Sequence, residues 1–389
     1  MRNLPLSDLN VLELSECVSG PYCGRLLAQA GANVIKIEKP DSGDIARSLG
    51  PFPDDQPHHA TSGLFLYLNT NKKSITLDWG TRSGNRILHQ LLQEADILVE
   101  NMPPGTFDHQ GLCAANPSLI VTSISYFGQD GPYRDCNGSD IVAQAMGGIM
   151  KLTGLPDREP LKIAGRQAEY QAGINAAVAT LAATISRDMT GTGEHIDISV
   201  FECIASILEG ALLSYAYDGT QRDRPGPRHP TVYPSTILPC KDGYLHIDAG
   251  ADWDTFVRFT EIPELAEIQA GEARERADEI DALLSPWLAN RRKEDLFHDA
   301  QVWRLPFAEV KGIDEVLFDE QLLERNSFAE LSHPVAGALT YPASPFKTND
   351  YQTEIKRAPL LGEHNMEIYG QRLGFTRQEI VRLRGMGVI

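Results

Sequence analysis

NVLELSECVSGPYCGRLLAQAGANVIKIE, residues 10–38, reads as strand, tight turn, helix and strand. Asn10–Leu14 is a short apolar strand, CVSGP turns the chain, YCGRLLAQAG is an amphipathic helix, and Val34–Glu38 is the next strand. This is a βαβ unit with a short glycine–proline turn between strand and helix. The same alternation continues outward. Residues 74–77 (SITL) lead through the helical GNRILHQLLQEA to a strand over 96–99, and LIVTSI (119–124) is a further strand closed by Phe127 and Gly128. Such a pattern predicts an α/β protein with a doubly wound, mostly parallel sheet covered by helices on both faces.

Further on, residues 165–185 read GRQAEYQAGINAAVATLAATI, a helix with alanine or glycine at nearly every packing position. Glu169 opens it. Unpaired backbone N–H groups at a helix start favour negative charge, so Glu169 is expected to stay ionised there. A carboxylate on a rigid helix start is chemically able to attack a thioester carbonyl and hold the acyl group covalently. Acidic residues are common in first helical turns, so this position alone does not carry a function.

HIDIS (195–199) resembles a strand feeding a long helix from Val200 to Tyr217. The texture then changes. Residues 218–234 (DGTQRDRPGPRHPTVYP) hold four prolines and read as an exposed linker. Residues 235–331 form a separate segment with a hairpin over 236–248 and several short charged helices. A β-like stretch at Gly337–Tyr341, a proline-rich run over 344–364 and a final amphipathic helix follow. These changes give a large domain over 1–220, a linker and smaller α+β domain over 221–334, and a C-terminal return to the large domain over 335–389.

Composition limits the partners. The 389 residues carry 35 Lys and Arg against 53 acidic residues, a formal net charge of −18. That balance argues against nucleic acid or an anionic membrane as the main partner, since each rewards a basic surface. A phosphorylated cofactor needs only a local basic pocket. Lys36, Lys39, Arg47, Lys72 and Lys73 cluster near strand ends and together are able to meet the phosphates of a nucleotide-like ligand. The six cysteines are scattered with no CxxC pair, which suits a reducing compartment, and no apolar run is long enough to cross a bilayer. The expected location is the cytoplasm. The turn at Gly20–Gly24 lacks the GxGxxG spacing, and the chain has no GxSxG elbow, P-loop or HExxH. No metal is expected. Core packing is the expected role of Tyr170, Tyr215, Tyr217 and Tyr233, with the lining of a pocket as the alternative.

Several ordered segments resemble the class III CoA-transferase family, the CaiB/BaiF group that includes formyl-CoA and carnitine CoA-transferases. They are VLELSECVSGPYCGRLLAQAGANVIKIEKPDSGDIAR, LNTNKKSITLDW, ADILVENMPPGTFDHQGL, NPSLIVTSISYFGQDGPY, SDIVAQAMGG, TGTGEHIDISVFE and APLLGEH. The resemblance covers nearly the whole chain. It implies a Rossmann-like large domain built from both chain ends with a smaller domain between, and an interlocked homodimer. It implies coenzyme A or an acyl-CoA as substrate, held by Val18, Ser19, Lys39, Leu77, Asp78, Asn101, Met102 and His109, with Asn137 and Asp140 lining the same region.

The family carries aspartate four residues before the glycine of the alanine-rich helix; counting back from Gly173, this chain has Glu169. In the family that carboxylate attacks the acyl-CoA, giving a mixed anhydride and then an enzyme-bound CoA thioester, from which an acceptor acid takes up the CoA. Glutamate has similar acidity and nucleophilicity. Its extra methylene moves the carboxylate by about 1 Å, a misplacement that can cost on the order of 10²-fold in rate. The resemblance implies a CoA-transferase with Glu169 as nucleophile. Two other readings stay open: an acyl-CoA isomerase or racemase of the same family, and a non-catalytic CoA-binding subunit paired with an active paralogue. Ser139 stands where the racemase branch has a histidine, against a two-base proton transfer. The glycine-rich loop that covers the carboxylate in some formyl-CoA transferases has no counterpart over 234–254.

Overall fold

A computed structural model describes residues 4–249, 252–350 and 354–389. The chain divides into two compact units. The larger draws on residues up to 149, on 163–209 and on 324 onward; the smaller draws on 150–162 and 210–323.

The larger unit starts with β1 (Asn10–Leu14), α1 (Ser19–Gln29), β2 (Asn33–Glu38), α2 (Gly63–Leu68) and β3 (Lys73–Thr76). It continues with α3 (Arg82–Gln93), β4 (Ile97–Glu100), α4 (His109–Ala115) and β5 (Ile120–Ser125). Then come α5 (Asp140–Met146), α6 (Gln167–Thr190), β6 (His195–Ser199) and α7 (Val200–Ser206). The six strands form one parallel sheet in the order β3-β2-β1-β4-β5-β6. Strand order reverses between β1 and β4, and the crevice at their C-terminal ends is where ligands sit in such sheets.

Alternation along each strand fills two separate cores, because successive side chains point to opposite faces. Val11, Val34, Ile97 and Val99 pack with Leu27 of α1 and Ala168, Ala172 and Ala176 of α6. Leu12, Ile35, Leu98 and Val121 pack on the other face with Ile87, Leu88 and Leu91 of α3. The same second core takes in Ile368, Tyr369, Ile380 and Val388 from the chain end. The Tyr369 hydroxyl donates to the Thr76 carbonyl at 2.6 Å, and Asp78 N–H donates to Val388 O at 2.8 Å. Both chain ends thus build the large unit.

The smaller unit holds α8 (Glu209–Asp218), β7 (Ser235–Cys240), β8 (Gly243–Asp248) and α9 (Trp253–Thr260). It continues with α10 (Ala277–Ala289), α11 (Lys293–Val302), β9 (Ala308–Glu309), α12 (Ile313–Leu317) and α13 (Glu320–Glu324). Its three strands are antiparallel. Phe256, Leu284, Leu296 and Phe307 are buried at its centre. Back in the larger unit, β10 (Phe328–His333) pairs antiparallel with β11 (Gly337–Pro342), and α14 (Arg377–Gly385) follows.

Several expectations differ from this structure. The helix expected from Val200 to Tyr217 is two helices, because the chain closes tighter turns at Ile207 and Leu208, whose N–H groups donate three residues back at 3.3 Å. The boundary expected at 334 separates two strands of one hairpin; β10 and β11 both belong to the larger unit. Residues 150–162, read from sequence as part of the large domain, cluster with the smaller unit. Of the tyrosines assigned to cores, Tyr233 is buried, Tyr170 is half-buried, and Tyr215 and Tyr217 are exposed at 57% and 86%. No single described helix is long and apolar enough to cross a membrane.

The cation cluster is the largest correction. Lys36 is fully buried, with Nζ 2.9 Å from Glu13 Oε1 and 2.8 Å from Asp44 Oδ2. Lys72 is buried against the other oxygen of Glu13 at 2.7 Å. Arg47 pairs with Glu38 at 2.7 Å and lies over the Phe65 ring at 3.6 Å. Sequence shows only that these cations are adjacent to strand ends. Their side chains lie along the sheet, where internal carboxylates claim them, so none of the three reaches a ligand phosphate. Lys73 is partly exposed and pairs with Glu367 at 2.7 Å.

Candidate active site

A cavity of about 360 Å³ lies at the crevice between the C-terminal ends of β1 and β4. Its walls come from the turn before α1, the segment after β4, the end of β5, the loop before α5, and the first turn of α6. Cys17 tops the first turn with φ of 67°, and its N–H donates to Asp44 Oδ1 at 2.9 Å. Asn101 ties the two strand ends together. Its Oδ1 accepts from Glu16 N–H at 2.8 Å, and its Nδ2 donates to Glu16 O at 2.7 Å and Ser19 Oγ at 3.2 Å. The first turn of α1 carries no acidic residue and no side-chain cap, which leaves its amides suited to an anionic group.

Glu169 lines this cavity from α6 and is only 3% exposed. Its Oε1 accepts from the Tyr126 hydroxyl at 2.6 Å and lies 3.6 Å from Arg166 Nη1. Its Oε2 is buried without a hydrogen-bond partner among the described residues. The carboxylate therefore has one tethered oxygen and one free oxygen. Arg166 forms an i,i+3 ion pair with Oε1, longer than a tight charged hydrogen bond, and leaves Oε2 untouched.

The helix-start argument for an ionised Glu169 meets a competitor. Arg166 precedes α6 and supplies no side-chain cap; Asp140 of α5 does so instead. Asp140 Oδ1 accepts from the N–H groups of Ala168 at 2.9 Å and Glu169 at 3.4 Å, and Oδ2 accepts from Gln144 at 2.7 Å. Burial raises the Glu169 pKa, Tyr126 and Arg166 oppose that, and the Asp140 charge adds to it; the net direction is upward from 4.5. Burial also pushes the Cys17 thiol up to about 12, with Glu169 adding to the effect.

Of the residues expected at a CoA site, Val18, Ser19, Asn101, Met102 and Asn137 line the cavity with Glu169. The others stand outside its lining. Lys39 follows β2, is 54% exposed and lies 3.1 Å from Glu16. Leu77 and Asp78 follow β3, with Leu77 buried. His109 begins α4, stacked on His195 with ring centres 4.0 Å apart and Nε2 3.1 Å from Ser123 Oγ. Asp140 is buried as the cap of α6.

Tyr126, Arg134 and Arg166 were not singled out from sequence. Tyr126 follows the last residue of β5, so its position one step beyond a parallel strand was a usable signal. Its contact with Glu169 spans 43 positions of sequence and has no local signature. Among the described residues, no group of three or more His, Cys, Asp or Glu side chains is arranged to hold a metal.

Known proteins share this architecture. The sequence pattern of CoA-transferase family III matches residues 6–365. A succinyl-CoA–D-citramalate CoA-transferase of Chloroflexus aurantiacus is 35% identical, over 99% of this chain and 98% of its own. A succinyl-CoA:mesaconate CoA-transferase of Haloarcula hispanica is 34% identical, over 93% and 95%. The crystal structure of a CAIB/BAIF family protein from Brucella suis superposes with a TM-score of 0.86 at 32% identity, over 95% of this chain and all of that one.

Proposed function

Because the chain belongs to CoA-transferase family III, we propose that it moves CoA from a short acyl-CoA to a dicarboxylic acid through covalent intermediates on Glu169. The observation that carries this reading is the carboxylate itself, at the strand-order crevice with one oxygen tethered and the other without a hydrogen-bond partner among the described residues. Burial serves the same chemistry by keeping water from the intermediates. The acceptor class follows from relatives that act on D-citramalate, mesaconate and glutarate.

CoA would lie along the C-terminal edge of the sheet. Lys39 follows β2, Leu77 and Asp78 follow β3, Asn101 and Met102 follow β4, and His109 begins the next helix. Val18 and Ser19 would present the start of α1 to an anionic group, with Asn137 across the cavity. Arg134 also lines the cavity, and its nearest charged partner, Asp135, is 3.6 Å away. It is the cation we assign to the remote carboxylate of a dicarboxylic acid. Asp140 is assigned a positioning role through the start of α6 rather than contact with CoA.

A homodimer completes the reading. Ile174, Val178, Ile185 and Met189 of α6 are exposed at 39–77% at spacings of 4, 7 and 4, one face of a helix. A second copy, interlocked with the first, is the assigned cover, and sedimentation should give twice the chain mass.

The deciding experiment supplies succinyl-CoA and a panel of dicarboxylic acids and reads new thioesters by mass spectrometry, beside Glu169→Ala. A new CoA thioester and a hydroxylamine-trapped Glu169 peptide are expected from the parent protein, with neither from the variant. Full turnover by Glu169→Ala overturns the role of Glu169. Turnover only after a paralogous chain is added overturns the homodimer.

A further inference from the structure

The two oxygens of Glu169 stand in different surroundings, and the difference matters once the carboxylate has reacted. The Tyr126 hydroxyl reaches Oε1 at 2.6 Å, with Arg166 at 3.6 Å from the same atom, while Oε2 has no hydrogen-bond partner among the described residues. Resting on the covalent role of Glu169, we propose that Tyr126 is a catalytic oxyanion donor to Glu169 itself, which reserves Oε2 for bond making and keeps Oε1 on the enzyme.

The electron flow follows from that assignment. Oε2 attacks the thioester carbonyl, the C–S bond breaks, and CoA leaves as thiolate; Oε2 now bridges a mixed anhydride and Oε1 is a carbonyl oxygen. The thiolate then attacks Cδ of Glu169, and the C=O electron pair moves onto Oε1. Tyr126 donates to that oxyanion, and Arg166 supplies positive charge beside it. Collapse expels the donor acid, which carries Oε2 away and leaves a glutamyl-CoA thioester. The acceptor carboxylate attacks the same carbon, again placing charge on Oε1, and thiolate departs. Final attack of thiolate on the acceptor carbonyl returns Glu169 with a new oxygen at the Oε2 position. Atoms and charge balance with no further reactant.

The scaffold holds Tyr126 for this duty. Its carbonyl accepts from Phe201 N–H at 3.0 Å. Its ring crosses Gly138 so closely that a Cβ there would sit 2.2 Å from the Tyr126 Cγ. Burial and the neighbouring Glu169 charge raise the phenol pKa, so the hydroxyl keeps its proton and donates. An oxygen held this way does not exchange places with its partner between turnovers.

The test combines Tyr126→Phe with heavy oxygen. The parent protein is cycled with succinyl-CoA and succinate whose carboxyl oxygens are all oxygen-18, and the Glu169 peptide is then weighed. One heavy oxygen at saturation is expected, because Oε1 is never exchanged. Tyr126→Phe is expected to take up two, and to lose about 10²-fold in kcat with little change in KM. Hydroxylamine should then trap the donor acyl group from an accumulating anhydride in place of a glutamyl adduct. Two heavy oxygens in the parent protein, or a Tyr126→Phe variant with unchanged kcat and one heavy oxygen, overturns the proposal. A Glu169 peptide with no label overturns the covalent role of Glu169 instead. Circular dichroism confirms that the variant is folded, and the isotope count is independent of its rate.

Discussion

Asp140 Oδ1 accepts the backbone N–H of Glu169 at 3.4 Å, so one carboxylate occupies the helix start that would otherwise favour the other. The charge of Asp140 and the burial of Glu169 act together to raise the Glu169 pKa. A nucleophile must be ionised, and activity should therefore fall on acidification through a limb above 4.5. Asp140→Asn removes the opposing charge and should move that limb of kcat/KM to lower pH. Asp140→Ala should in addition destabilise the fold by about 1 kcal/mol through loss of the cap. The pH–rate profile and a thermal melt read the two effects separately.

Glu169→Asp tests the length of the side chain. Removing one methylene withdraws the carboxylate by about 1 Å from Tyr126, and kcat should drop on the order of 10²-fold while the fold is kept. A rate equal to that of the parent protein would mean that the pocket does not distinguish the two acids.

The raised Glu169 pKa also predicts a pH dependence of stability. A neutral Glu169 is preferred in the folded chain, so its contribution is present below the unfolded value near 4.5 and is lost as pH rises through the folded value. Glu169→Gln copies the neutral acid at every pH. The difference in melting temperature in favour of Glu169→Gln should grow as pH rises above 4.5.

Lys36→Met should destabilise the protein by about 3–5 kcal/mol, because Asp44 would lose its cation in the interior and Glu13 would keep only Lys72. Burial opposes ionisation of Glu13 and Glu38, yet Lys36 and Lys72 on the first, and Arg47 on the second, hold both below 4.5. This network therefore stabilises above that pH and fails as pH falls through the folded values. Chemical denaturation at two pH values measures it.

Gly173→Ala should cost about 1–3 kcal/mol. An added Cβ would lie 2.7 Å from Ser19 O and 3.1 Å from Tyr22 Cβ, both on α1. The helix pair that carries Ser19 and Glu169 would be forced apart, so melting temperature and kcat should fall together.

The parallel sheet was legible because its signal is local and periodic. Residues 10–14 and 195–199 are strands with the bounds that their patterns predict, and Val11 and Leu12 alternate into different cores as a strand must. The place of Glu169 at the start of an alanine-rich helix was legible as well, while a chemical role for it came only from the resemblance of the ordered segments. The break after α7 and the pairing of β10 with β11 were not, since short turns and a strand read without its partner leave weak patterns.

The sequence by itself determined the alternation of strands and helices, the two-faced core and a carboxylate at the head of α6. Only the tertiary structure decided which charges are internal, which anion caps α6, and which oxygen of Glu169 is held. Lys36 meets Glu13 across 23 residues, Asp140 meets Ala168 across 28, and Tyr126 meets Glu169 across 43. Charge and hydrogen bonding act through distances of a few ångströms in space, and chain order does not encode those distances until strands and helices have packed.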